Sequence, residues 1–125
     1  SDREEIAARY GVNQHLMRSW LRSINHLRNI CAHHARLWNR AIADQPAMPK
    51  QDAVPELAHI AKHPNATFRI YAIVAIIRYL LKRINPTSTW NGRLTAHVRE
   101  FPPIPGLSIE QSGFPRNWHD EALWR

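Results

Sequence analysis

From residue 14 to residue 42 the chain contains neither proline nor glycine, in a sequence of 125 residues that elsewhere carries nine prolines and four glycines. Within that stretch Leu16, Trp20, Ile24, Leu27, Cys31, Trp38 and Ile42 recur at three- and four-residue steps. This spacing places apolar side chains on one face of an α-helix, so it predicts one long central helix over 14–42. Asn13 is placed to cap its start, and Gly11 to close a short preceding helix over 3–10.

The rest of the chain reads as helices separated by prolines. Pro46, Pro49 and Pro55 mark 44–55 as a connector, and a short helix over 56–63 is expected to stop at Pro64. Ile70, Ile73, Val74, Ile77, Leu80, Leu81 and Ile84 predict a core helix over 67–84, with Arg69, Arg78, Lys82 and Arg83 mainly off its apolar face. Asn85 and Pro86 end it. Thr87 or Thr89 caps a further helix to about residue 100, residues 101–115 form an irregular proline-rich tail, and Trp118 and Trp124 anchor a last helical turn. No segment alternates polar and apolar residues as a half-buried strand does. The expected fold is all-α, a small helical bundle of one domain over residues 1–125.

Composition narrows the function classes. The longest uncharged apolar run, 70–77, is far shorter than the roughly 20 residues a membrane-spanning helix requires. A single cysteine excludes an intramolecular disulfide framework and a multi-cysteine zinc site, which with the lack of a leader makes a cytoplasmic location the expectation. The abrupt opening at Ser1 reads as the C-terminal part of a longer protein. Seventeen Lys and Arg oppose ten Asp and Glu, and fourteen of the seventeen are arginine. Arginine's planar fork suits bidentate phosphate contact, so the excess points to an anionic partner, nucleic acid first.

The cations are concentrated. Residues 13–40 hold five arginines and no Asp or Glu, and 65–100 hold five arginines and Lys82 against Glu100 alone. At about 100° per residue, Arg22, His26, Asn29, Arg36 and Arg40 fall within about 60° of His33 on the predicted long helix. A merely solvated face ordinarily mixes charge signs to gain i,i+4 pairs; this one offers cations, amides and imidazoles only.

Arg28 and His33 stand at Arg-x4-His spacing, which fourteen arginines and eight histidines would supply by chance. The longer string His26-Leu27-Arg28-Asn29-Ile30-Cys31-Ala32-His33-His34-Ala35-Arg36-Leu37-Trp38-Asn39-Arg40 carries more. It closely resembles the signature of the Abi-like family, the AbiD and AbiF type of bacterial abortive-infection proteins, within the HEPN superfamily of helical ribonucleases and RNA-binding domains. Tyr79 to Pro86, then Trp90, Arg93-Leu94, Phe101-Pro102-Pro103-Ile104-Pro105, Gly113-Phe114-Pro115 and Trp118, resemble the C-terminal half of the same family.

The resemblance implies metal-independent RNA cleavage, with no cofactor and no metal ligands, in which the ribose 2′-hydroxyl attacks the adjacent phosphate. It casts His33 as general acid and base, Arg28 as the group that stabilises charge on phosphorus, and Asn29 as the orienting amide. Arg22, His26, Arg36 and Arg40 would hold the RNA backbone. On a straight helix Arg28 and His33 point about 140° apart, so a composite site in a homodimer is expected, with Ile30 and Leu37 at the interface. An antitoxin or a regulatory RNA is the further partner the resemblance leaves room for.

Two other function classes use the same residues: an RNA-binding module without catalysis, and a structural dimerisation domain. The last gives no reason for an all-cationic face. His59 and His63 stand at zinc-ligand spacing without an evident third ligand. His34 and Cys31 read as packed residues, Tyr71 and Tyr79 as core, and His97 with Arg93 as a weak extension of the basic surface.

Overall fold

The computed structural model describes residues 2–32, 40–50, 53–101 and 103–125. Among these residues the regular elements are all helical: α1 Asp2–Arg9, α2 Gln14–Ala32, α3 Pro64–Phe68, α4 Tyr71–Ile84 and α5 Trp90–Arg99, with 3-10 turns at Pro55–Lys62, Ile109–Ser112, Trp118–Asp120 and Ala122–Trp124. The chain is a small all-α bundle. Among the described residues no helix is long and apolar enough to cross a membrane.

The start of α2 follows its sequence signals. Gly11 takes a left-handed φ of 71°. The Val12 amide reaches back to the Ala7 carbonyl at 3.2 Å, closing α1. Asn13 Oδ1 then accepts the Leu16 amide at 2.8 Å.

The end of α2 differs from expectation. α2 is described to Ala32, residues 33–39 lie outside the described residues, and residues 40–42 are not helical. Ser23 Oγ donates to the Asp44 carbonyl at 2.6 Å, Trp20 Nε1 donates to the Ala47 carbonyl at 2.7 Å, and the Ala47 amide donates to Ser19 Oγ at 2.7 Å. The chain has therefore reversed by Asp44 and runs back along α2. A helix continued to residue 42 would carry that residue about 28 Å along the axis from Ser23, which these bonds forbid. Absence of proline permits a long helix; here long-range hydrogen bonds overrule it.

The core helix also breaks where the sequence alone predicts continuity. The turn before Pro64 ends at Lys62 as expected, and Pro64 then opens α3, a position where its missing N–H is not needed. Arg69 is extended at the end of α3, and α4 begins afresh at Tyr71. Tyr71, Ala72, Ala75, Ile76 and Tyr79 form the buried face of α4 in the main cluster, with Trp20, Leu57, Phe114, Trp118, Leu123 and Trp124. Alanines there make room for wide rings, so the packed face differs from the row of large aliphatics, and Ile84 is left 63% exposed. A second cluster joins Ile30, Ile42 and Ile73.

Polar contacts fasten the C-terminal segment to this core. Trp124 Nε1 donates to the Tyr71 hydroxyl at 3.1 Å, and that hydroxyl lies 2.6 Å from His59 Nε2. The indole can only donate, so the phenol accepts from it and keeps its own proton free to donate to Nε2 when neutral His59 carries its ring proton on Nδ1, which lies 3.9 Å from Glu121. Burial lowers the His59 pKa, against the opposing pull of Glu121 and the Glu56 backbone, and burial raises that of Tyr71. Arg78, which the sequence places off the apolar face, is buried; its Nε donates to the Leu123 carbonyl at 2.9 Å and an Nη to the Arg125 carbonyl at 3.2 Å.

Gly113 sits at φ 87°, and a Cβ there would lie 2.8 Å from Asn65 O and Arg69 Cβ. Gly113→Ala is expected to cost at least about 2 kcal/mol, read by denaturant titration; an unchanged midpoint would mean the tail is not seated on α3. His59 yields a pH prediction. With its folded pKa below the ordinary 6.5, the unfolded chain protonates first as pH falls. Its contribution is therefore neutral above 6.5 and increasingly unfavourable as the pH falls below 6.5. His59→Gln should flatten that part of the stability profile, and an identical slope in the variant would contradict the assignment.

Candidate nucleic-acid interface

Burial along α2 fixes which way its polar residues point. Leu16, Trp20, Ser23 and Ile30 are buried and Leu27 is half-buried, a row at alternating four- and three-residue steps. The axis of this face is rotated by about 50° from the row of Trp20, Ile24, Leu27 and Cys31 expected from hydrophobicity. Two residues explain the rotation. Ser23, 1% exposed, is held inward by its bond to Asp44, and Ile30, 6% exposed, packs on Ile42 and Ile73. Cys31 is exposed, which corrects its expected place in the core.

The opposite face carries Arg18, Arg22, Asn25, Arg28 and Asn29, all exposed, with His26 half-buried at its edge. Arg22 and Asn29 lie seven residues apart and nearly in line, about 10 Å along the axis. Arg28 Nη1 sits 3.5 Å from Asn29 Oδ1, the limit of a hydrogen bond, so both remain directed to solvent. Among the described residues none of Arg18, Arg22 and Arg28 has a carboxylate within ion-pair distance. Such a face can receive the closely spaced oxygens of a polyanion.

Several expected site residues fall elsewhere. His33, Arg36 and Leu37, with His34 and Trp38, lie outside the described residues, so the Arg28–His33 relation is not among the described geometry. Arg40 is exposed but not on the helix that carries Arg22. Ile30, expected at a dimer interface, is 6% exposed and packs on Ile42 and Ile73 within the chain. Arg18 and Asn25 are members of the face that the sequence reading passed over. Their signal was present in the steps of four, three and four through Arg18, Arg22, Asn25 and Asn29.

His59 and His63 do not share a role. His59 is engaged by Tyr71, and among the described residues no three His, Cys, Asp or Glu side chains gather as metal ligands.

Comparison with known proteins places a family match over this element. The family model described as Abi-like protein matches residues 1–39, which span α1, α2 and the segment beyond. The match does not extend to residues 79–118, where the sequence carries the second part of its resemblance. No curated protein and no solved structure matches the chain.

Because Ile30 is an internal packing residue, Ile30→Ala should cost about 2 to 4 kcal/mol in a urea titration while leaving the sedimentation coefficient of the folded protein unchanged. A change of oligomeric state at unchanged stability would restore Ile30 to an interface.

Proposed function

We propose that this chain binds RNA on the outer face of α2 and acts as a metal-independent endoribonuclease of a bacterial abortive-infection system. The supporting observation is the exposed, carboxylate-free row of Arg18, Arg22 and Arg28 with Asn25 and Asn29, lying within the residues that match the Abi-like family. Single-stranded or looped RNA offers phosphates to the guanidiniums and base edges to the amides.

In this reading the arginines carry binding and His33 carries chemistry. An imidazole with an ordinary pKa near 6.5 exchanges protons at neutral pH, taking the 2′-hydroxyl proton as that oxygen attacks phosphorus and returning one to the leaving 5′-oxygen. Arg28 stabilises the charge that grows on the non-bridging oxygens, and Asn29 orients the phosphate or the histidine. The products are a 2′,3′-cyclic phosphate and a 5′-hydroxyl. A homodimer in which two copies complete one site is part of the proposal, as is the HEPN mechanism itself; an antitoxin or regulatory RNA would act on the same face.

The test is incubation of labelled mixed-sequence RNA with wild type and with His33→Ala in EDTA, followed by mass analysis of the ends. Cyclic phosphate produced by wild type only, with binding retained by His33→Ala, is the expected result. Binding without cleavage by both proteins would replace the nuclease with an RNA-binding module, and absence of binding would remove RNA altogether. Arg22→Ala should lower affinity and reduce the slope of log K against log salt by about one.

A further inference from the structure

Between the outer sides of α1 and α2 lies a hollow of about 350 Å³ that shares Arg18 with the RNA face. It is lined by Arg3 and Ile6 from α1 and by Gln14, Met17, Arg18 and Leu21 from α2. Its floor is aliphatic. Ile6 is 50% exposed and Leu21 55% exposed, while Met17 closes the bottom. Two large aliphatic side chains left open in one concavity form a patch, unlike singly scattered surface residues. The volume falls at the lower end of the range of binding clefts, about 300 to 1,000 Å³.

The lining chooses among occupants. No aromatic ring lines the hollow, so an unstacked base finds no platform there, whereas Ile, Met and Leu match the aliphatic anchors of a helix laid in a groove. Its charged lining residues are Arg3 and Arg18, both cations. A basic or neutral partner helix would leave them facing like charge or nothing; an acidic one answers both.

We propose that this hollow docks an acidic amphipathic helix of a partner protein, with aliphatic anchors between Ile6 and Leu21 and carboxylates on Arg3 and Arg18, and that its occupancy excludes RNA. The exclusion rests on the RNA-binding reading above. Arg18 and Arg22 stand one turn apart on α2, with side-chain origins about 5 to 6 Å from each other. A helix carrying carboxylates over Arg18 therefore sets negative charge and bulk beside Arg22, where the RNA backbone would run. The same arginine is neutralised by either ligand, so the two compete.

The probe is a fluorescein-labelled peptide of about 16 residues, long enough for four helical turns, with leucines at i, i+3, i+4 and i+7 and glutamates on the flanks. A control peptide replaces every glutamate by lysine. Fluorescence anisotropy should give saturable binding of the glutamate peptide, at least tenfold weaker with Leu21→Ser and with Ile6→Ser, and none of the lysine peptide. Both variants alter half-exposed side chains on different helices, and their thermal melts confirm that the fold is kept. No binding of the glutamate peptide, equal binding of the lysine peptide, or binding indifferent to both variants would overturn the docking site.

Competition is read separately with labelled RNA. Displacement of RNA by the glutamate peptide from wild type, but not from Leu21→Ser, is the expected result. Peptide and RNA bound together would overturn exclusion and leave docking standing. Absence of RNA binding in the protein alone would overturn exclusion together with the proposed function, while the anisotropy series still decides the docking site.

Discussion

Three side chains of α2 hold the backbone that returns past it, and much of the molecule follows from this. Ser19 and Ser23 bond to Ala47 and Asp44, and the Trp20 indole donates to the Ala47 carbonyl. A buried carbonyl or amide without a partner costs about 1 to 3 kcal/mol, so satisfying these groups on side chains lets an irregular segment lie against a helix without a strand or helix of its own. The same bonds set the azimuth of α2. With Ser23 turned inward, Arg18, Arg22 and Asn25 are turned outward, and Trp20 meets the edge of Tyr79 at a ring separation of 5.9 Å. The cationic face is thus a consequence of a polar contact on the far side of its own helix.

A second set of polar contacts performs the equivalent task at the C-terminus. Tyr71 stands among Phe114, Trp118 and Trp124, with the nearest ring centre at 4.9 Å, and its hydroxyl joins His59 to Trp124. Arg78 binds the carbonyls of Leu123 and Arg125 from the same helix. Rings provide area and the hydroxyl and guanidinium provide register, so a segment rich in proline becomes part of the core. The hydrogen-bond partners in the C-terminal segment lie 45 to 53 residues from Arg78 and Tyr71. Such a core forms only after the C-terminal segment has come back to α4.

What the sequence discloses is the local part of this structure. Gly11 and Asn13 act through neighbours within five residues, and the closing of α1 and the start of α2 follow from them. The end of α2 depends on Asp44 and Ala47, and the break between α3 and α4 accompanies the approach of Gly113 to Asn65 and Arg69; both partners are distant in the chain. Hydrophobicity alone ranks Cys31 above Ser23 for the interior, yet a serine whose hydroxyl finds a carbonyl buries readily, and a cysteine at the helix end need not. That one exchange rotated the expected polar stripe and left Arg18 at its edge. Arg22 and Asn29 survived because they sit nearly opposite the expected buried face, so a rotation of about 50° leaves them outside, whereas Arg28 was marked by its place in the family string and not by its face.

Three cations outside α2 find partners within the fold. Lys82 pairs with Glu56 at 3.2 Å, Arg78 is held by two carbonyls, and Arg83 lies over the Tyr79 ring at 4.9 Å. Each of these charges is answered from within the fold. Arg18 and Arg22, by contrast, stand at i and i+4 as like charges, an arrangement that opposes helix formation by a few tenths of a kcal/mol, and no acidic residue of α2 relieves it. A protein gains no stability from that arrangement. An anion supplied from outside removes the repulsion and gains charge-assisted hydrogen bonds at once, so the energetic deficit of the free helix becomes part of the affinity for whatever polyanion or acidic helix occupies the face.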